Sequence, residues 1–246
     1  MRQAIYNKIG KSYSEYRAPD PHIAGIINQS LGNAKRIINV GAGSGSYEPG
    51  HLNVTAVEPS SVMISQRPAH AAEAVQGRAE HLPFKDKTFD AAMAILTIHH
   101  WEDLDQGLSE LKRVAKKVII VTWDPSFEGF WMTNDYFPEI LSYDKGRFPA
   151  FGRIANLMGA IKITNIPVPA NCIDGFASAY WQRQEAILMK PVRDATSAFN
   201  KIPDLNQKLA RLKQDISSGI WAEKYGYLLN KNEMDLGFRL LEVSLD

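Results

Sequence analysis

The sequence RIINVGAGSGSYEPGHLNVTAVEPS at residues 36–60 decides the fold. An apolar, β-branched run ends at Val40, glycines alternate from Gly41 to Gly45, and a second strand-like run ends in Glu58. Two strands joined by a glycine turn and followed by an acid are typical of an α/β sheet that binds a nucleoside at its carboxyl edge. Glycine lets the backbone approach a ligand where a Cβ would collide. A carboxylate at the tip of the second strand can accept hydrogen bonds from both ribose hydroxyls.

The spacing after the glycines separates a nucleoside site from a dinucleotide site. In a dinucleotide site, the pyrophosphate lies at the N-terminus of a full helix. Here Pro49 and Gly50 follow closely, so only about one helical turn fits between Gly45 and Asn53. The glycine pattern is G-x-G-x-G rather than G-x-G-x-x-G. Both features favour a nucleoside ligand without phosphates.

Four motifs in register resemble the class I S-adenosylmethionine (SAM)-dependent methyltransferases, in particular the branch of quinone and sterol methyltransferases. They are VGAGSG, AVEPS, RAEHLPF and FDAAMAILTIHHW, and the resemblance covers roughly residues 6–122. It implies an α/β, Rossmann-like, seven-stranded sheet that is mostly parallel, with an antiparallel last strand and helices on both faces. It also implies SAM as the cofactor and S-adenosyl-L-homocysteine as its product.

The resemblance also implies which residues contact the cofactor. Tyr13 is expected as a cation–π partner of the sulfonium and Arg17 as a partner of the methionine carboxylate, with packing or solvation as the alternatives. Asn39 stands where the family usually has an acid, and its amide can hold a water or the methionine ammonium without a charge. The predicted cofactor-binding residues are Tyr13, Arg17, Asn39, Gly41, Ala42, Gly43, Gly45, Glu58, Pro59, Met63, Ala79, Glu80 and Leu96.

The adenine and ammonium contacts are likewise carried over from the family. Met63 is expected to pack its thioether on the adenine, although generic core packing explains it nearly as well. Arg78 stands where the family often has an acid, so the amide of Ala79 is the better partner for a ring nitrogen, with Glu80 as the nearest acid. The carbonyl of Leu96 is expected to accept from the ammonium.

His99 and His100 follow the predicted fourth strand and are the candidate catalytic residues. An imidazole titrates near neutral pH and can take a proton from an acceptor hydroxyl or amine. The alternative is a structural histidine beside a packed tryptophan. A metal site is not predicted, because no H-x-x-x-H pattern or nearby carboxylate pair completes a ligand set.

Composition narrows the class of protein further. The chain has 246 residues, 45% of them hydrophobic and 22% charged, which suits one globular domain with an elaboration. No apolar run approaches the ~20 residues of a membrane helix, and the first residues lack an apolar signal core, so a cytoplasmic protein is expected. The net charge of +1 argues against nucleic acid as the main partner. The lone Cys172 is expected to be a small, semi-buried hydrophobe.

Residues 170–231 interrupt the expected pairing of the last two strands. They are read as a helical insertion, with residues 1–169 plus 232–246 as the SAM-binding domain. The insertion is expected to cap the acceptor pocket, and a peripheral packing subdomain is the alternative. Aromatic residues at 127–143 and in the insertion would hold a hydrophobic or planar acceptor, so the acceptor is expected to be a small organic molecule.

The sequence therefore predicts an enzyme that moves a methyl group from SAM to an O, N or C atom of that acceptor by in-line displacement. Two other classes stay open. One is a non-catalytic, SAM-binding regulatory protein. The other is a nucleotide-dependent oxidoreductase, which would need the long first crossover helix that Pro49 denies.

Overall fold

The computed structural model describes residues 18–245, without the side chain of Ser197. Its main sheet has seven strands: β1 (Arg36–Val40), β2 (Asn53–Glu58), β3 (Ala74–Gln76), β4 (Phe89–Ile95), β5 (Ala115–Trp123), β6 (Lys162–Asn165) and β9 (Phe238–Ser244). A separate short ribbon pairs β7 (Val168–Pro169) with β8 (Glu233–Met234). The strand order in the main sheet is β3-β2-β1-β4-β5-β9-β6. The last strand, β9, runs antiparallel to β5 and β6, and the pairs on the β1 side of β5 are parallel. The predicted sheet is confirmed.

Helices lie against both faces of this sheet. The α-helices of the described residues are α1 (Pro21–Leu31), α2 (Ser61–Ser65), α3 (Leu104–Val114), α4 (Pro138–Lys145), α5 (Phe151–Met158), α6 (Lys190–Asp194), α7 (Leu205–Ser217) and α8 (Ile220–Tyr225). Neighbouring residues of β1 belong to the hydrophobic cores on opposite faces of the sheet: Ile37 packs with α1, and Ile38 packs with α3 and α5. Because both faces are covered, the central strands read as continuous apolar runs. Within residues 18–245, none of the helices is both long and apolar enough to cross a membrane.

The first crossover contains turns and no helix between residues 41 and 52. Gly41, Gly43 and Gly45 all have positive φ, at 72°, 52° and 95°. A Cβ on Gly41 would lie 2.0 Å from the Oγ1 atom of Thr97, so glycine is required there for both conformation and space. The predicted shortening of this crossover is confirmed, and the chain reaches β2 without the helix that a pyrophosphate would need.

The third strand, β3, is short and spans only Ala74–Gln76. The carboxylate of Glu48 accepts from the backbone N–H of Ala72 at 3.0 Å, and Arg67 donates to the Ala72 carbonyl at 2.8 Å. Both backbone groups of Ala72 are therefore satisfied by side chains rather than by β2. Regular pairing starts only at Ala74, opposite Ala56.

Aromatic side chains of residues 130–137 and of the insertion form a core of their own. The indole N–H of Trp131 donates to the carbonyl of Trp181 at 2.7 Å, and its ring meets Trp221 edge-on at 5.4 Å between centroids. Phe137 and Trp181 are fully buried in the same cluster, and Cys172 is buried beside it. These rings join residues 170–231 to the rest of the chain through packing. The domain boundary at residue 170 stays a prediction.

Gly41→Ala should lower the free energy of unfolding by about 2–4 kcal/mol, because it adds left-handed strain and a clash with Thr97. Gly152→Ala in α5 is the matched control. Its new Cβ would meet nothing within 4 Å, so a gain of about 0.5–1 kcal/mol is expected. Urea denaturation measures both. Equal stabilities for the two variants would contradict the tight approach of the loop to β4.

Candidate active site

A cavity of about 240 Å³ opens at the carboxyl ends of β1, β2 and β4. This edge of an open α/β sheet is where ligands bind. The predicted residues on its wall are Asn39, Gly41, Ala42, Gly43, Glu58, Pro59, Met63, Ala79, Glu80, Leu96 and His100. The structure thus brings together motifs that lie far apart in the sequence.

Within residues 18–245, two predicted residues, Gly45 and His99, are not on this wall. Gly45 packs beneath the loop, where a Cβ would lie 2.9 Å from the Cβ of Ala71. The ring of His99 is turned onto Phe148, with centroids 4.0 Å apart, and lines a neighbouring depression. Packing against Ala71 therefore accounts for the glycine at position 45, and its contact with the cofactor stays a prediction. Tyr13 and Arg17 lie outside the described residues.

Glu58 connects the tip of β2 to the glycine loop. Its Oε2 atom accepts from the N–H of Gly43 and its Oε1 atom from the N–H of Ser60, both at 2.9 Å. The residue is only 7% exposed. A carboxylate has about four lone-pair sites, so each oxygen can still accept one more hydrogen bond. The geometry fits a pair of ribose hydroxyls.

Asn39 presents an acceptor to the cavity and is fixed from behind. Its Nδ2 atom donates to Oε1 of Glu48 at 3.0 Å, while its Oδ1 atom has no hydrogen-bond partner within residues 18–245. The residue is 2% exposed, and a buried acceptor left unpaired costs about 1–3 kcal/mol. This orphaned oxygen fits an ammonium or a water.

A buried ion pair supports that amide. Arg67 Nη2 lies 2.8 and 2.7 Å from the two carboxylate oxygens of Glu48, and both side chains are about 95% buried, at 6% and 5% exposure. Arg67 also donates from Nη1 to the carbonyl of Gly43 at 3.0 Å. The pair therefore fixes the position of both Asn39 and the glycine loop.

Leu96 has φ of 51°, which is uncommon for a residue with a Cβ. Its N–H donates to the carbonyl of Val121 at 2.8 Å, which keeps the end of β4 attached to β5 through this turn. Backbone strain of this kind clusters at ligand sites. The turn places Leu96 and Thr97 on the cavity wall.

At the other end of the cavity, Met63 and Ala79 are buried and apolar. Glu80 is already engaged, because its Oε1 atom accepts from the N–H of Glu102 at 2.9 Å and of Asp103 at 3.2 Å. Arg78 forms an exposed ion pair with Glu102. Glu80 thus holds the loop before α3 and is already hydrogen-bonded. Met63 and Ala79 give this end of the cavity an apolar surface, which an adenine ring would contact.

His100 lines the cavity and is bonded to Arg147, whose Nη2 atom lies 3.1 Å from Nδ1 and 3.5 Å from Nε2 of the imidazole. Arginine can only donate, so the nearer nitrogen, Nδ1, accepts. A neutral imidazole then carries its proton on Nε2. In this tautomer Nε2 can donate a hydrogen bond, and the general-base role of His100 stays a prediction.

Some residues of the wall were missed. They are Ser44, Ser46, Tyr47, Ser60, Ile95, Thr97, Trp101 and Glu102, together with Arg78, which the sequence singled out without assigning it. Most are direct neighbours of predicted residues, so extending each motif by one or two positions would have found them. Tyr47 is different, because its hydroxyl donates to Asp174 at 2.8 Å, far along the chain.

Comparison with known proteins agrees with this geometry. A family model described as a methyltransferase domain matches residues 38–120. A putative methyltransferase from an antibiotic biosynthesis pathway of Anabaena variabilis is 33% identical in sequence, with a TM-score of 0.85 over 94% of this chain and 99% of that one. The chain belongs to the class I SAM-dependent methyltransferases, and its cofactor is SAM. The oxidoreductase alternative is wrong.

Two further relatives are more distant. Malonyl-[acyl-carrier protein] O-methyltransferase of Erwinia pyrifoliae is 36% identical over 122 residues, 46% of either chain. Geranyl diphosphate C-methyltransferase of Streptomyces coelicolor, crystallised with S-adenosyl-L-homocysteine, has a TM-score of 0.52 at 12% identity over 91% of this chain and 78% of that one, which shows the fold alone. The chain spans 20 to 46% of the length of the curated relatives it matches.

Glu48→Gln should lower the free energy of unfolding by about 3–5 kcal/mol, because it leaves the buried charge of Arg67 unpaired. Asp194→Asn, which breaks the exposed pair with Lys190, is the control and should cost under about 1 kcal/mol. Chemical denaturation of both variants measures the difference. If Glu48→Gln cost no more than the control, the pair would not be what fixes the glycine loop.

Proposed function

We propose that this cavity binds SAM and that the chain transfers its methyl group to a small organic acceptor. Glu58 would accept from the ribose hydroxyls, and Met63 and Ala79 would enclose the adenine. The Oδ1 atom of Asn39 and the carbonyl of Leu96 would receive the methionine ammonium. The observation that carries the proposal is the buried Glu58 carboxylate, which binds the glycine loop and still has acceptor capacity.

When bound, SAM supplies a methyl group on a sulfonium, which is already an activated electrophile. The chain then has to orient the two reactants and exclude water, and orientation alone is worth ~7–11 kcal/mol in favourable cases. The buried pair of Glu48 and Arg67 keeps the loop rigid for this purpose. His100 would contact the acceptor at the mouth of the cavity.

Two observations support a small acceptor. The cavity is small, at about 240 Å³, and the net charge of +1 provides little attraction for nucleic acid. One relative is named as a malonyl-[acyl-carrier protein] O-methyltransferase. The proposed acceptor therefore includes a small acyl group attached to a carrier. The cytoplasm stays the predicted location, on the sequence argument alone.

The insertion at 170–231 would act on the cavity through Tyr47 rather than through an aromatic wall. Of its rings and those of residues 130–137, Trp131, Phe137 and Trp181 are buried among themselves and do not line the cofactor cavity. The hydroxyl of Tyr47 instead donates to Asp174 of the insertion. The proposed role of the insertion is to hold this side of the cofactor loop.

Glu58→Gln should weaken SAM binding about 10- to 100-fold, because a charged acceptor of the ribose hydroxyls is lost. Isothermal titration calorimetry measures the affinity, and circular dichroism checks the fold. Glu73→Gln replaces an exposed carboxylate just before β3 and should leave the affinity unchanged. Full SAM affinity in Glu58→Gln would refute the assignment of the ribose site.

Mass spectrometry of the protein with SAM and a metabolite extract should reveal a compound that gains one CH₂ unit, whereas no methylated product would favour a non-catalytic SAM-binding protein. With that acceptor, His100→Gln should retain more kcat than His100→Leu, because glutamine keeps a donor near the Nε2 position. His99→Gln is the control and should be close to wild type. A general base would instead lose about 10²–10⁴ in kcat in both His100 variants.

A further inference from the structure

Arg147 carries a positive charge beside the cofactor cavity. It is half-buried, and among residues 18–245 it has no carboxylate within 4 Å. Its guanidinium is hydrogen-bonded to the imidazole of His100. Charged groups that leave water are normally paired, so a half-buried guanidinium bonded to an imidazole is prepared for an anion.

Arg153, Glu102 and Asp103 line the same depression as Arg147, and each already has a hydrogen-bond or ion-pair partner. Arg153 pairs with Asp105 at 2.7 Å, and Glu102 pairs with Arg78. The carboxylate of Asp103 caps α3 by accepting from the N–H of Gln106 at 3.0 Å. Unlike Arg153, Arg147 therefore has no carboxylate ion pair within residues 18–245 and keeps donors for a ligand.

Asp144 is the carboxyl group that acts electrostatically on Arg147 without pairing with it. Burial raises the pKa of Asp144 to about 6, and the positive charge of Arg147 lowers it only in part. The described salt bridges do not include one between these two side chains, so Asp144 leaves the guanidinium open to a stronger anionic partner.

A second cation reinforces the positive charge. The guanidinium carbon of Arg147 lies 4.7 Å from the ring centroid of Tyr143, and the ammonium of Lys201 lies 3.9 Å from the same centroid. Stacking on the ring orients Arg147 and leaves the edges of its guanidinium available for bidentate bonds. Lys201 belongs to the insertion, so two separate parts of the chain each place a positive charge next to the ring of Tyr143.

The position of Arg147 relates this charge to the reaction. Arg147 lines a depression that shares Trp101 and Glu102 with the cofactor cavity. Through its bond to His100, it lies one side chain away from the cavity wall. An acceptor held by Arg147 would thus have its other end next to His100 and the carboxyl edge of β4.

We propose that the methyl acceptor carries a carboxylate or phosphate group, which Arg147 binds while His100 contacts the part to be methylated. Lys201 strengthens the local positive potential. This inference rests on the proposed function, since it places the acceptor beside a SAM site. The planar guanidinium is suited to bidentate binding of either anion.

The test uses the full chain saturated with S-adenosyl-L-homocysteine and three probes that share a phenyl ring: benzoate, phenyl phosphate and benzamide. Calorimetry or NMR titration measures each affinity. At least one anion should bind tenfold or more tightly than neutral benzamide, and the tighter anion identifies a carboxylate or a phosphate acceptor. Arg147→Gln should remove this preference, and Arg147→Lys should keep part of it.

Arg153→Gln is the matched control, because Arg153 lines the same depression but is paired with Asp105. It should retain the anion preference, and every variant should bind S-adenosyl-L-homocysteine like the wild type. Equal affinities for the three probes, no binding of either anion, an unchanged preference in Arg147→Gln, or the same loss in Arg153→Gln would each overturn the inference. Failure of the wild type to bind S-adenosyl-L-homocysteine is a separate result that contradicts the proposed function itself.

Discussion

The two hydrogen bonds from Gly43 and Ser60 to the carboxylate of Glu58 hold the cofactor loop against the tip of β2. This loop has no helix to support it, because the crossover from β1 to β2 is made of turns. Its geometry therefore depends on side chains. Without Glu58, the loop would lose the side-chain bonds that attach it to the tip of β2, and the cavity would lose part of its wall.

Further buried polar groups complete this support. Arg67 and Glu48 lie under the loop and orient Asn39. Tyr47 accepts at its hydroxyl from the N–H of Asp20 at 3.3 Å and donates to Asp174, and burial next to Asp174 raises the pKa of its phenol. The phenol is thus held neutral and serves as a link. A site of this kind is preorganised by hydrogen bonds from parts of the chain that are distant in sequence.

The local parts of the site could be predicted from the sequence. The glycine loop, Glu58 at the end of β2 and the end of β4 each carry a signal within a few residues, so the seven-stranded sheet and most of the residues on the cavity wall could be predicted. Gly45 does not line the cavity, and contact with Ala71 across the turn is enough to require a glycine there. A repeating glycine pattern does not show which glycines face the ligand.

The features that could not be predicted from the sequence depend on contacts between residues that are far apart in the chain. The aromatic residues around Trp131 were predicted to hold the acceptor. In the structure they pack against one another in a hydrophobic core, and part of that core comes from the insertion. Arg147 sits in an unremarkable loop after α4 and becomes important only because folding brings it to His100. Whether an arginine has a carboxylate partner depends on which residues the fold brings next to it, and a sequence motif does not show this.

A crystal structure with S-adenosyl-L-homocysteine tests the central claim most directly. Both ribose hydroxyls should lie within hydrogen-bond distance of Glu58, with the adenine between Met63 and Ala79 and the glycine loop unchanged. A ligand bound elsewhere, or a ribose turned away from Glu58, would contradict it.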